Sequence, residues 1–323
     1  MAVLSWSHRL RALAHVCPAL VLASCAALGG DNGGGENLPN RGVVPYDRVV
    51  TEASDYILVP EGTVRYRDPS VVVVDDAVRL YLTVSDGDET FVAVSMGDAG
   101  GQAFAAPIRV SDGASPSVMV AADGTYLMAY ATSVNRIDIA SSGDGITFDQ
   151  VGGYDAPAGT TVSGPSLLQT ANGSFELFYT ADGVAIARAT AGANLDFAFD
   201  AIVFEPGTDC LDIEGAPEAC WDADSATDAE VRLSRTGAGR TLYRMLYSGS
   251  KGSNTDLGFA ASEDGLTWSR YRFNPVVDDD LKQLGPTNTR QADRYLLYWS
   301  ESAPSGHGIA MAINDTPAPS ETF

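Results

Sequence analysis

Three carboxylates stand where acid–base chemistry or cation binding could be built. Asp68 lies in Arg67-Asp68-Pro69 at the head of an apolar run, and Asp228 and Glu230 sit two residues apart at the head of another. Residues two apart on a strand face the same way, so Asp228 and Glu230 are expected to point together, towards a mouth or an axis. Joined by Asp68, they would form an acidic cluster able to do chemistry or to hold a cation. The competing reading pairs them with Arg232, Arg240 or Arg244, or has them cap the strand, and lets Asp68 accept backbone N–H bonds as a turn residue. His307, one of three histidines, lies in the loop-like Ser305-Gly306-His307-Gly308. Asp86-Gly87-Asp88 and Asp278-Asp279-Asp280 could bind calcium, but neither has an EF-hand spacing and charged loop tips explain both. Among the tryptophans, Trp268 belongs to a repeated packing motif, whereas Trp221 is the best candidate for an exposed platform on which a ring could stack.

Other chemistries lack their residues. There is no Gly-rich phosphate loop, no supported Ser-His-Asp order and no zinc spacing, so phosphoryl transfer, nucleotide chemistry and serine hydrolysis are unsupported. The formal charge of −22 repels phosphate backbones and argues against nucleic acid as a partner. Cys210 and Cys220 bracket a short Gly- and Pro-containing loop, and in an oxidising compartment they are expected to form a disulfide. Closing so short a loop would add roughly 2–3 kcal/mol in the chain-entropy model. Zinc is the alternative there, but no further Cys or His lies near enough in sequence to complete a site.

The elements that must position these residues repeat. Arg67-Asp68-Pro69-Ser70-Val71, Ala114-Ser115-Pro116-Ser117-Val118 and Ser163-Gly164-Pro165-Ser166-Leu167 each open an apolar strand, which turns at Asp or Asn and returns as an aromatic-rich strand such as Phe175-Glu176-Leu177-Phe178-Tyr179. Further copies begin at Asp228 and Gly285. Each unit then supplies a third strand of small apolar residues, and two continue into Ser142-Gly143-Asp144-Gly145-Ile146-Thr147-Phe148 and Ser262-Glu263-Asp264-Gly265-Leu266-Thr267-Trp268. Asp-Gly there predicts two-residue hairpin turns, followed by an aromatic that packs between sheets. Four short strands per unit, no amphipathic helix and a period of roughly fifty residues predict an all-β, five-bladed β-propeller with four antiparallel strands per blade. Asp68, Ser115, Ser163, Asp228 and Gly285 should ring one mouth of it. A six-bladed ring using residues 38–64 is the runner-up.

These features resemble the propellers of glycoside hydrolase families 43 and 32, the arabinanase, levansucrase and invertase superfamily, over residues 60–313. The resemblance implies a base Asp in an Asp-Pro of blade one, kept as Asp68. It implies an orienting Asp in blade two, where Ser115 stands, and an acid Glu before Gly-Pro in blade three, where Ser163 stands. A serine hydroxyl cannot replace a tuned carboxylic acid as proton donor. Asp228 and Glu230 offer a rearranged carboxylate set. His307 resembles by position a histidine that some family 43 enzymes aim at an axial cation, so calcium or another cation is a candidate cofactor. The expectation is a site that binds carbohydrate at the mouth through Asp68, with Arg67, Ser115, Ser163, Trp221 and His307 as further ligand contacts. The alternatives are an active glycoside hydrolase or a propeller that binds a protein partner.

Before the repeats, basic His8, Arg9 and Arg11 precede a short apolar run ending in Leu22-Ala23-Ser24-Cys25. At about fourteen residues it is too short to span a bilayer about 30 Å thick. The segment resembles the signal and lipobox of bacterial lipoproteins, which implies loss of residues 1–24 and a lipid on Cys25. Arg9 and Arg11 would leave with the signal, so the mature chain would be still more acidic. Residues 25–42 are Gly-rich and read as a tether. Residues 43–316 are the predicted propeller and 317–323 a tail. The expected protein is a monomer anchored in the cell envelope, with Ala26 favouring the outer membrane.

Overall fold

The computed structural model describes residues 47–49, 56–208, 210–211, 217–218, 220–235, 240–271, 274–277, 281–291, 294–303 and 306–314. Residues 1–24, Cys25 and its tether, Asp278-Asp279-Asp280 and the tail lie outside this set. The chain begins with the short strand β1 (Asp47–Arg48) and then builds blades in order. Blade one is β2 (Val64–Val74), β3 (Ala77–Asp86), β4 (Glu89–Met96) and β5 (Ile108–Asp112). Blade two is β6 (Ala114–Val120), β7 (Tyr126–Ser133), β8 (Arg136–Ser142) and β9 (Asp149–Asp155). Blade three is β10 (Val162–Gln169), β11 (Phe175–Ala181), β12 (Ala185–Ala191) and β13 (Ala198–Phe204). An insertion carries β14 (Cys210–Leu211) and β15 (Pro217–Glu218), paired with each other. Blade four is β16 (Ser225–Arg235), β17 (Thr241–Lys251), β18 (Asn254–Ser262) and β19 (Ser269–Arg270). Blade five is β20 (Gln283–Gln291), β21 (Arg294–Ala303) and β22 (Gly306–Asn314), and β1 completes it as the outermost strand.

The protein is therefore an all-β propeller of five four-stranded antiparallel blades, with no helix among the described residues. Among the described residues the N-terminal segment starts no sixth blade. It closes the ring, and Arg48 is locked to the fully buried Glu301 by bonds of 2.8 and 2.5 Å, while Trp299 Nε1 donates to the same carboxylate.

The inner strands carry the feature that shapes the mouth. Each bulges at one place, between Arg67 and Ser70, Ala114 and Ser117, Ser163 and Ser166, Thr227 and Glu230, and Leu284 and Thr287. The first bulged residue is left-handed in all five: Asp68 (φ 51°), Ser115 (52°), Gly164 (50°), Asp228 (50°) and Gly285 (57°). Aspartate visits this region more readily than most residues, whereas an ordinary side chain is strained there. In four blades the left-handed N–H donates to a hydroxyl on the second strand of the preceding blade: Asp68 to Ser300, Ser115 to Thr83, Asp228 to Thr180 and Gly285 to Ser248. The matching position before Gly164 is Ala131, which has no hydroxyl to offer.

A second belt lies two residues further down each inner strand. Ser70, Ser117, Ser166, Glu230 and Thr287 accept the backbone N–H of Val118, Leu167, Val231, Asn288 and Val71 respectively, at 2.7–3.2 Å. Every blade is thus stitched to the next around the axis through groups that burial would otherwise leave unpaired.

The hairpin expectation needs a correction. The Asp-Gly segments are not two-residue turns: residues 143–148 form a six-residue loop between β8 and β9. Asp144 organises it by accepting the N–H groups of Ile146 and Thr147 at 2.8 Å and the Ser142 hydroxyl at 2.9 Å, and Asp264 does the same with Leu266, Thr267 and Ser262. These carboxylate bonds replace the main-chain closure that a tight turn would use. The aromatics do pack between blades, Phe148 edge-on to Tyr81 of blade one and Trp268 edge-on to Phe178 of blade three.

Candidate functional site

The inner-strand starts meet a cavity of about 540 Å³ that runs along the axis, past the lower belt to residues such as Arg290 at the far end. The concave space is thus deeper than a mouth alone, because five inner strands leave an open core between them. Arg232 of blade four crosses it, donating to the Val71 carbonyl of blade one at 3.2 Å and to Glu230 at 2.6 Å.

At the mouth, Asp68 Oδ2 accepts the Thr83 hydroxyl at 2.8 Å and the Ser115 hydroxyl at 3.0 Å. Two blades therefore fix the orientation of one carboxylate. Its other oxygen, Oδ1, has no hydrogen-bond donor among the described residues. Asp228 lies within electrostatic reach, and its carboxyl is pushed up to about 6, first by burial and then by the charge of Asp68. Its Oδ1 would stand 2.6 Å from a Cβ placed on Gly164. A side chain there would have to displace the Asp228 carboxylate and crowd its Cα at 3.1 Å, which favours glycine at the third left-handed position.

Glu230 does not join this pair. The bulge puts an extra residue into the strand and breaks the simple alternation from Asp228. Glu230 lands in the lower belt, where Oε1 accepts from Thr287 and Arg232 and Oε2 from the Asn288 N–H. The pairing of Glu230 with Arg232 is the ion pair the alternative reading named. Ser163 also needs correcting, because the residue in register with Asp68 and Ser115 is Gly164, while Ser163 precedes it opposite Thr180.

Arg67 makes no ion pair with Asp68 and donates instead to Ser85 Oγ at 3.2 Å. His307 is on a strand, not in a loop: it lies on β22 opposite Ser302, half-buried, with Nδ1 buried and unpartnered. Its pKa is lowered by burial and by Arg67 and Arg65, against an opposing pull from Asp68. Trp221 is no exposed platform. It is half-buried, tilted against Tyr247 with ring centroids 5.5 Å apart, and pressed onto Gly249 and Gly258, where a Cβ on Gly258 would come within 2.5 Å of the indole. Cys210 and Cys220 are joined in a disulfide, as their spacing suggested.

As for a cation, the described residues contain one group of three with metal-ligand geometry: Cys210, Cys220 and Asp222. Its two sulfurs are already bonded to each other. The mouth carboxylates form no such group.

The residues missed from sequence are hydroxyls. Thr83 and Ser300 hold Asp68 together with Ser115, which the sequence did point to, and the Ser or Thr following the bulge builds the lower belt in four of the five blades. A hydroxyl residue directly after Pro69, Pro116, Pro165 and Pro286 was the available signal.

No protein-family model matches the chain, and no curated protein does. Solved structures match it well. A thermostable family-43 glycoside hydrolase aligns at TM-score 0.58 and 14% identity over 79% of this chain and 90% of that one. The fold is that of the glycoside hydrolase propellers. A glycoside hydrolase of the GH130 family, which is described as targeting β-1,2 mannosidic linkages in Candida mannan, aligns at 0.64 and 14% over 88% and 98%. The catalytic domain of a GH62 α-L-arabinofuranosidase from Coprinopsis cinerea aligns at 0.61 and 12% over 83% and 96%. Identities this low carry the propeller architecture and leave the chemistry to the residues at the mouth.

Proposed function

We propose that this propeller binds carbohydrate at its mouth, and that the protein is exported and held to the cell envelope, at the outer membrane, through a lipid on Cys25.

 

The observation that carries the binding reading is Asp68 itself. One of its oxygens is held by two hydroxyls and the other faces the mouth without a donor, the arrangement needed to accept a sugar hydroxyl. The Leu-Ala-Ser-Cys segment, the glycine-rich stretch after it and the disulfide support export and anchoring. Binding of purified protein to an immobilised glycan panel, repeated with Asp68→Asn, tests the site. Absence of glycan binding, or binding that the substitution leaves unchanged, rejects it.

Asp228 favours a second reading, glycosidic hydrolysis. A carboxyl near pKa 6 can hold a proton for a leaving oxygen, while Asp68 as carboxylate activates water. Product release from arabinan, xylan, fructan or aryl glycosides, abolished by either Asp68→Asn or Asp228→Asn, would establish it.

A further inference from the structure

The stretch of β2 that leads into Asp68 is basic in a strongly acidic chain. Arg65 and Arg67 are two residues apart on β2, on one face of that strand. Their cross-strand partners are Ser85 and Thr83, which carry no charge. Arg65 donates only to the carbonyls of Gly62 and Val64, and Arg67 only to Ser85. Neither forms an ion pair among the described residues. Arg65 also packs over Gly306, whose missing side chain leaves it room, and the next residue is His307. The buried, unpartnered Nδ1 of His307 completes the cluster. The acids Glu61 and Asp86 act instead on Tyr66, which lies on the other face of β2.

Two guanidinium groups left without carboxylates are costly to desolvate unless a ligand supplies the counter-charge. We infer that the glycan bound at this mouth is acidic, and that Arg65 and Arg67 receive its carboxylate or sulfate group while Asp68 accepts a neighbouring hydroxyl. The inference rests on the carbohydrate reading above and specifies its ligand class. The overall negative charge does not forbid it. At physiological salt, exposed charges more than about 8 Å away are largely screened, whereas the two arginines act at contact.

Calorimetric titration with matched glycans tests this: galacturonan against galactan fragments, glucuronoxylan against xylan fragments, and sulfated against desulfated galactan. The acidic member of at least one pair should bind about tenfold tighter or more, as a charge-assisted hydrogen bond would give. The uronate and sulfate pairs separate the two sources of charge. Arg65→Gln and Arg67→Gln should each remove most of that preference, with the melting temperature unchanged. Arg67→Lys, which keeps the charge, should retain part of it. Binding of neutral glycans with no acidic preference, or an acidic preference untouched by both Gln variants, overturns the inference and leaves the carbohydrate reading intact. No binding of any glycan overturns both.

Discussion

At the scale of single residues, the mouth depends on two aspartates in different surroundings. Asp68 is an oriented acceptor, so Asp68→Asn should weaken glycan binding by about 1.5–3 kcal/mol, the worth of a charged hydrogen bond, with little change in melting temperature. Titration of both proteins with one glycan checks it. Asp228 is raised to about 6 from 3.8, so the folded protein binds a proton more tightly than the unfolded chain. Its contribution to stability is then fully present below about pH 4 and lost as pH rises through 6. Asp228→Asn should therefore stabilise the protein at pH 7 by about 1–3 kcal/mol and flatten its stability between pH 4 and 6. Denaturant unfolding at several pH values would show this, and a less stable variant at pH 7 would contradict it.

At the scale of strands, the two belts explain why the same short opening recurs. A hydroxyl or carboxylate after the bulge is needed because the N–H it accepts belongs to the next blade and has no ladder partner there. Glu230 fills this role in blade four, so Glu230→Ala should cost about 2–4 kcal/mol, leaving the Asn288 N–H unpaired and Arg232 without its carboxylate. The upper belt lacks one hydroxyl, at Ala131. Ala131→Ser should stabilise by about 0.5–1.5 kcal/mol if its hydroxyl reaches the Gly164 N–H. Chemical denaturation midpoints check both. The Asp144 and Asp264 loops show a related economy: a single carboxylate closes each loop on itself, and Arg79 and Arg188 of the preceding blades donate to the backbone carbonyls of Asp144 and Asp264.

At the scale of the whole molecule, blade five is completed by a two-residue strand that one buried ion pair fastens. Removing Arg48 leaves the Glu301 carboxylate buried and without that partner, so Arg48→Ala should cost about 3–5 kcal/mol and loosen blade five before the others. Hydrogen exchange resolved by blade would reveal the order of opening, and uniform protection in the variant would count against it.

Much of the fold was legible because repeats amplify local signals. Five recurring openings, three of them of the Pro-Ser-Val kind and each followed by an aromatic return strand, point to five blades of four strands through repetition and alternation. Cys210 and Cys220 could be paired from their spacing, since a ten-residue separation already brings them close in the chain. The site was legible only in part. Asp68 stood out through Asp-Pro, and Asp228 by its place at a strand start, but their proximity comes from different blades meeting at an axis. Glu230 misled because a bulge, invisible in the residue pattern, cancels the period of two that its reading relied on. Trp221 misled because its burial depends on Gly249 and Gly258, which are remote in sequence and form a floor only once blade four is folded. Local sequence determines which segments become strands, because backbone preference and alternation act over a few residues. Which side chains face one another across the mouth, and which of them are left without a partner, was decided only when closure of the ring brought positions some fifty to two hundred residues apart into contact.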